Sequence, residues 1–272
     1  MNIPTTSSQT NHPHLNTRAV ADSLRLAHCA IQTSSFFSIR GCRGTGRSFI
    51  YPVIEADWKA KKVACASIYF LCVPESDPDR VLRQLARAIT GKTYSPWERP
   101  TIKDLFALVS ETCRNQEATF LFVDDLHHLA APCWQMLLCL FDAVRDQDIR
   151  IGMAVTARIH SLELLDAQTH PAFLDTVYTG ALAKNEMFVA MAALEPRLQP
   201  LADDYFDVKP GGQEACESLY QATKGNFKAM DVVIETIATA HPAGAITLKD
   251  LERCLALRRA SANTEQNFAL VA

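Results

Sequence analysis

The stretch Gly41-Cys42-Arg43-Gly44-Thr45-Gly46-Arg47-Ser48 decides the fold. It follows the apolar run Phe36-Phe37-Ser38-Ile39 and leads into a helix-like segment that starts near Ser48. Three of the ten glycines of the chain fall inside it. A backbone that wraps a polyphosphate needs positive φ angles and no Cβ in the way. The pattern is that of a phosphate-binding loop, G-x-x-x-x-G-K-[ST], in all but one position: Arg47 stands where lysine is usual. Strand, glycine loop and helix in this order aim backbone N–H groups and the positive end of the helix at one anion. An ordinary strand-to-helix turn is the alternative reading of the same residues.

On either side of the loop an alternation of strands and helices extends over the first two thirds of the chain. An amphipathic helix is expected over 18–32, then strands over 36–40, 63–71, 119–123 and 149–155. Helices are expected over 47–60, 78–90, 102–115, 132–147 and 159–167. Asp77 with Pro78 opens one helix and Gly91 closes it; Thr101 with Asp104 caps another. Strands that are apolar on both faces and separated by helices imply a parallel sheet covered on both sides. After about residue 180 the pattern is helical only, over 184–195, 212–223, 226–240 and 247–258. The reading is therefore a flexible polar tail (1–17), an α/β nucleotide-binding domain (18–180) and a small helical domain (181–272).

Composition excludes several classes. With 48% hydrophobic and 21% charged residues and a net charge of -3, the chain is an ordinary globular one, without the overall positive charge of a general nucleic-acid binder. Its nine cysteines are odd in number and form no C-x-x-C pair, which argues for a reducing, cytoplasmic setting without disulfides or a zinc site. The polar N-terminal residues carry no apolar signal-peptide core, and no run approaches the ~18 apolar residues of a membrane span.

A phosphate loop needs a metal partner. The run Phe120-Leu121-Phe122-Val123 ends in Asp124-Asp125, at the carboxyl end of a strand, where ligands bind in open α/β sheets. Asp124 would order Mg²⁺ together with the Ser48 hydroxyl, and Asp125 takes the place of the acid that polarises an attacking water. That acid is normally glutamate, and aspartate is about one methylene shorter, which matters because catalytic reach is sensitive to small displacements. Thr156, at the end of Met153-Ala154-Val155, is placed to sense the terminal phosphate or to cap the next helix. An acidic pair after a strand also serves as a plain helix cap. Arg43 reads as an exposed side chain, Lys59, Lys61 and Lys62 as a solvated helix end, and His127 and His128 as loop or core histidines.

The loop, Asp124-Asp125-Leu126-His127-His128-Leu129 and Val155-Thr156 together resemble the AAA+ ATPases of bacterial transposons, the TniB family with its TnsC-type relatives. The segment from Asn185 to Leu201 is similar to a more particular TniB stretch, and Leu219 to Thr247 resembles a helical lid. The resemblance implies an AAA+ P-loop fold with a lid, ATP and Mg²⁺ as cofactors, and a ring or filament of identical subunits on duplex DNA. It implies a regulator of transposition that selects target sites and recruits the transposase. It also implies an arginine offered by a neighbouring subunit, where this chain has Asp175-Thr176-Val177. Arg47, Asp125 and that missing arginine all point to weakened hydrolysis; the alternative is a nucleotide-independent pseudo-ATPase scaffold acting through protein contacts.

Overall fold

The computed structural model describes residues 17–93, 100–159, 168–241 and 243–269, with side chains up to Arg258. The expected polar tail (apart from Thr17), the expected helix over 159–167 (apart from Ile159) and much of the proline-bearing loop lie outside the described residues. The described residues divide into two compact units, one up to Gly180 and one from Ala181 onward.

The first unit is built on five parallel strands: β1 (Phe36–Gly41), β2 (Ala66–Leu71), β3 (Thr119–Asp124), β4 (Ile151–Arg158) and β5 (Phe173–Thr179), in the spatial order β2-β3-β4-β1-β5. Alternation along β1 explains why it sits inside. Phe36 faces one core, with Leu85, Val109 and Phe141, while Phe37 faces the other, with Ile31, Ile54 and Trp58. One face of the sheet carries α1 (Arg18–Thr33) and α2 (Ile50–Lys61); the other carries α3 (Pro78–Thr90), α4 (Ile102–Arg114) and α5 (Ala131–Arg145). Each fully buried Leu or Phe contributes roughly 1.5–3 kcal/mol, so the two layers hold the sheet between them.

The caps behave as their residues dictate. Asp77 accepts from the Asp79 amide at the start of α3, Gly91 closes that helix at φ 69°, and Thr101 forms a capping box with Asp104. Three expectations need correction. The strand expected over 63–71 starts only at Ala66, because Val63 folds back to hydrogen-bond Trp58 O at 2.9 Å. The helix after the glycine loop starts at Ile50 rather than 47, behind two tight turns, Phe49 N to Gly46 O and Ile50 N to Arg47 O. The fifth strand, β5, was not expected at all.

The second unit is helical: α6 (Lys184–Leu194), α7 (Gln199–Phe206), α8 (Pro210–Thr223), α9 (Phe227–Ala240) and α10 (Leu248–Ala269). Its core joins Met187, Phe188, Met191, Leu219, Met230, Val233 and Leu251. Helix α7 is a further element that the sequence pattern did not reveal. Among the described residues no helix is long and apolar enough to cross a membrane.

Candidate functional site

The site is built where β1, β3 and β4 end. Gly44 and Gly46 adopt φ of 80° and 81°, which only glycine reaches freely. Gly41 has no room for a side chain: a Cβ there would lie 2.0 Å from Thr179 Oγ1 and 2.7 Å from the Thr179 carbonyl. Thr45 closes a turn onto Cys42, while the amides of Gly46, Arg47 and Ser48 donate to no described backbone acceptor. Consecutive unpaired amides around two left-handed glycines form an anion-binding concavity. Cys42, Arg43 and Ser48 are exposed. Thr45 turns inward instead, donating to Cys42 O at 2.8 Å and meeting Thr179 Oγ1 at 2.8 Å.

The acidic pair diverges because Asp125 takes a left-handed conformation (φ 57°, ψ 44°) at the start of the 3-10 turn Leu126–His128. Aspartate tolerates this region better than most residues. Asp124 is 1% exposed and points along the sheet's end. Its Oδ1 accepts from the Thr156 hydroxyl and its Oδ2 from the Tyr69 hydroxyl at 2.5 Å. Thr156 Oγ1 in turn accepts the Asp125 amide at 2.9 Å. Thr156 is therefore bonded to both acidic residues. Asp125 points towards the loop, where its Oδ1 receives Arg47 Nη2 at 3.1 Å. One hydrogen-bonded path thus runs from Arg47 through Asp125 and Thr156 to Asp124 and Tyr69.

Tyr69 was not foreseen. It lies on the edge strand β2, its ring stacked on Phe122 and tilted against Tyr51. Burial and the neighbouring Asp124 carboxylate push its phenol above the ordinary tyrosine range, so it remains a donor to Asp124 at any physiological pH. Burial pushes Tyr51 up to about 12, with Glu55 adding to the shift. His127 is held below the usual histidine range, first by burial and then by His128, Arg158 and Arg47, while Asp125 opposes the shift.

A polyphosphate fits the residues present. The free amides and the Arg47 Nη1, which is buried without a hydrogen-bond acceptor among the described residues, ask for an anion. Among the described residues, no group of three His, Cys, Asp or Glu side chains is arranged to hold a metal ion. A divalent ion here would rest on Asp124, the Ser48 hydroxyl and phosphate oxygens, and would supply charge neutralisation to the phosphates. The lysine run behaves as a helix end: Lys61 pairs with Asp57 at 2.8 Å, and Lys59 and Lys61 lie in the last turn of α2, where cations suit the helix dipole.

A family model described as an AAA domain matches residues 30–165, half of the chain. The chain belongs to the AAA domain family. The matched span of this AAA domain protein includes the glycine loop, the acidic pair and Thr156. Three solved structures share its fold. Cdc6p from Pyrobaculum aerophilum is 14% identical, with a TM-score of 0.56, covering 92% of this chain and 82% of that one. The Orc1 protein of Aeropyrum pernix, solved in complex with DNA, is 12% identical, with a TM-score of 0.58 and coverages of 92% and 67%. Drosophila ORC bound to DNA is 10% identical, with a TM-score of 0.58 and coverages of 89% and 66%. The AAA domain protein thus spans from about two thirds to four fifths of those chains, and at these identities the likeness is one of fold. Among curated proteins none matches it in sequence.

Proposed function

We propose that this chain is an ATP-binding AAA+ regulator of DNA transposition in the cytoplasm, a TniB-like protein that acts as a homo-oligomer on duplex DNA to select target sites and recruit the transposase. In this reading Gly41 to Ser48 cradle the phosphates, Ser48 and Asp124 hold Mg²⁺, and Asp125 with Thr156 arranges the attacking water. The domains follow: 18–180 binds nucleotide and 181–272 forms the lid. The observation that carries the nucleotide reading is the run of unpaired amides from Gly46 to Ser48 beside the linked Arg47, Asp125, Thr156 and Asp124. The transposition reading is supported by the TniB-like segment from Asn185 to Leu201.

Two observations favour a second reading, a nucleotide-independent pseudo-ATPase scaffold that acts through protein contacts. Arg47 and Asp125 occupy each other, and Asp175-Thr176-Val177 lies within β5 where the resemblance would put a trans-acting arginine. Calorimetric titration with ATP and Mg²⁺, followed by turnover assays with and without duplex DNA, separates the two. Tight binding with DNA-stimulated turnover supports the regulator. Weak or absent binding supports the scaffold and sinks the nucleotide reading. Capture of a transposase by the ATP-loaded protein, lost without ATP, tests the partner.

A further inference from the structure

We propose that His127 is a positioning residue of this site, which takes over Asp125 when the Arg47 guanidinium leaves it for the phosphates of a bound nucleotide. The inference rests on the nucleotide reading above and adds a residue which that reading does not use.

The His127 side chain is only 10% exposed, and its Nδ1 is buried with no hydrogen-bond partner among the described residues. That nitrogen lies 3.8 Å from Asp125 Oδ1, the same oxygen that Arg47 Nη2 holds at 3.1 Å. Two buried nitrogen groups therefore face one carboxylate oxygen, and only Arg47 is bonded to it. Arg47 has an unmet need of its own, because its Nη1 is buried without an acceptor. Unpaired buried polar groups are costly, about 1–3 kcal/mol each, so both nitrogens are poised for a partner. Phosphate oxygens over the loop would satisfy Arg47. Asp125 would then be left without a cation, and a movement of roughly 1 Å brings the imidazole within hydrogen-bond range.

The turn supports such a movement without unravelling. His128, whose ring centroid lies 4.3 Å from that of His127, is anchored through Nδ1 to Cys72 O at 3.2 Å. The charged and titratable groups facing His127 are Asp125 from the end of β3, His128 from the turn, Arg158 from β4 and Arg47 from the loop. With Arg47 in place the imidazole is neutral. Removing that cation leaves Asp125 to act on it more strongly, which favours a proton on Nδ1 and a charged ring.

The test is an NMR titration of the full chain labelled with ¹⁵N at histidine, with H127Q used to assign the His127 signal. Calorimetry first establishes binding of a non-hydrolysable ATP analogue with Mg²⁺. The expected result on saturation is an upward move of the His127 midpoint by about one pH unit, with Nδ1 as the protonated nitrogen of the neutral form. In D125N the move should be largely lost. An unmoved midpoint in the wild-type chain, or an equal rise in D125N, overturns the proposal while leaving nucleotide binding intact. No calorimetric binding overturns the nucleotide reading itself and this inference with it. R47A provides an arm without nucleotide: it should carry the Nδ1–H tautomer already in the free protein, and persistence of the Nε2–H form also overturns the proposal.

Discussion

Arg47 Nη2 donates to Asp125 Oδ1 at 3.1 Å, joining two residues 78 positions apart, with the arginine side chain only 10% exposed. This pair couples the glycine loop to the second acid of Asp124-Asp125. Each group would otherwise be a partly buried charge without a counter-charge, so the contact stabilises the free protein and competes with ligand at the same time.

Replacing Arg47 by lysine should tighten ATP binding, by about tenfold or roughly 1.4 kcal/mol. An ammonium is a compact point charge that reaches the phosphates and lacks the planar fork that engages Asp125. Titration calorimetry with ATP and Mg²⁺ measures it. Unchanged or weaker binding by R47K would mean that arginine is no handicap in this loop.

Thr156→Val removes the hydroxyl that donates to Asp124 and accepts the Asp125 amide, at a position that is fully buried. The loss should be about 1–3 kcal/mol in urea unfolding, together with a higher Mg²⁺ requirement for nucleotide binding. Thr156→Ser retains the hydroxyl and should stay close to wild type. If Val and Ser behave alike, the hydroxyl has no such role.

Gly41→Ala should destabilise the first unit by roughly 1–3 kcal/mol or more, because the new methyl meets Thr179 Oγ1 at 2.0 Å and the Thr179 carbonyl at 2.7 Å. Adding Thr179→Ala removes only the first clash, so the double variant should recover only part of the loss. Full recovery in thermal unfolding would show that the strand gives way easily.

Stability of the helical unit should fall in acid through Glu195. Hydrogen bonds from Arg197, at 2.7 Å to each carboxylate oxygen, hold its carboxyl below the ordinary 4.5. The unfolded chain binds the proton more readily, so the contribution is complete above about 4.5 and is lost as pH falls through the lower folded value. Arg197→Ala should remove that part of the acid transition. A midpoint of helix loss on acidification, followed by circular dichroism, that is the same in both proteins would rule it out.

The parts of the fold that were legible are those whose residues leave no choice. Phe120 to Val123 are buried on both faces, and a continuous apolar run of that kind reads as a central strand. Strand β5 was not legible because it is an edge strand: Asp175 and Tyr178 are exposed and only Val177 and Thr179 are buried. Helix α7 escaped because Gln-Pro-Leu-Ala-Asp-Asp-Tyr-Phe offers only Leu201 and Ala202 as buried positions. At the site, the glycine loop and Asp124-Asp125 could be read from spacing. Tyr69 could not, since its contact with Asp124 depends on the register that sets Leu71 opposite Asp124. The Arg47–Asp125 pair likewise follows from three-dimensional closure and the left-handed turn at Asp125.

The inward turn of Thr45 makes the loop part of the chain's mechanical linkage. Its hydroxyl meets that of Thr179, which also donates to Arg40 O at 3.3 Å and is the last residue of β5. One residue further, Gly180 ends the first unit, and a side chain there would meet nothing within 4 Å. Any shift of Thr45 is therefore passed to Thr179 and the end of β5. A single hydroxyl pair thus moors the middle of the glycine loop to the last residue of the edge strand.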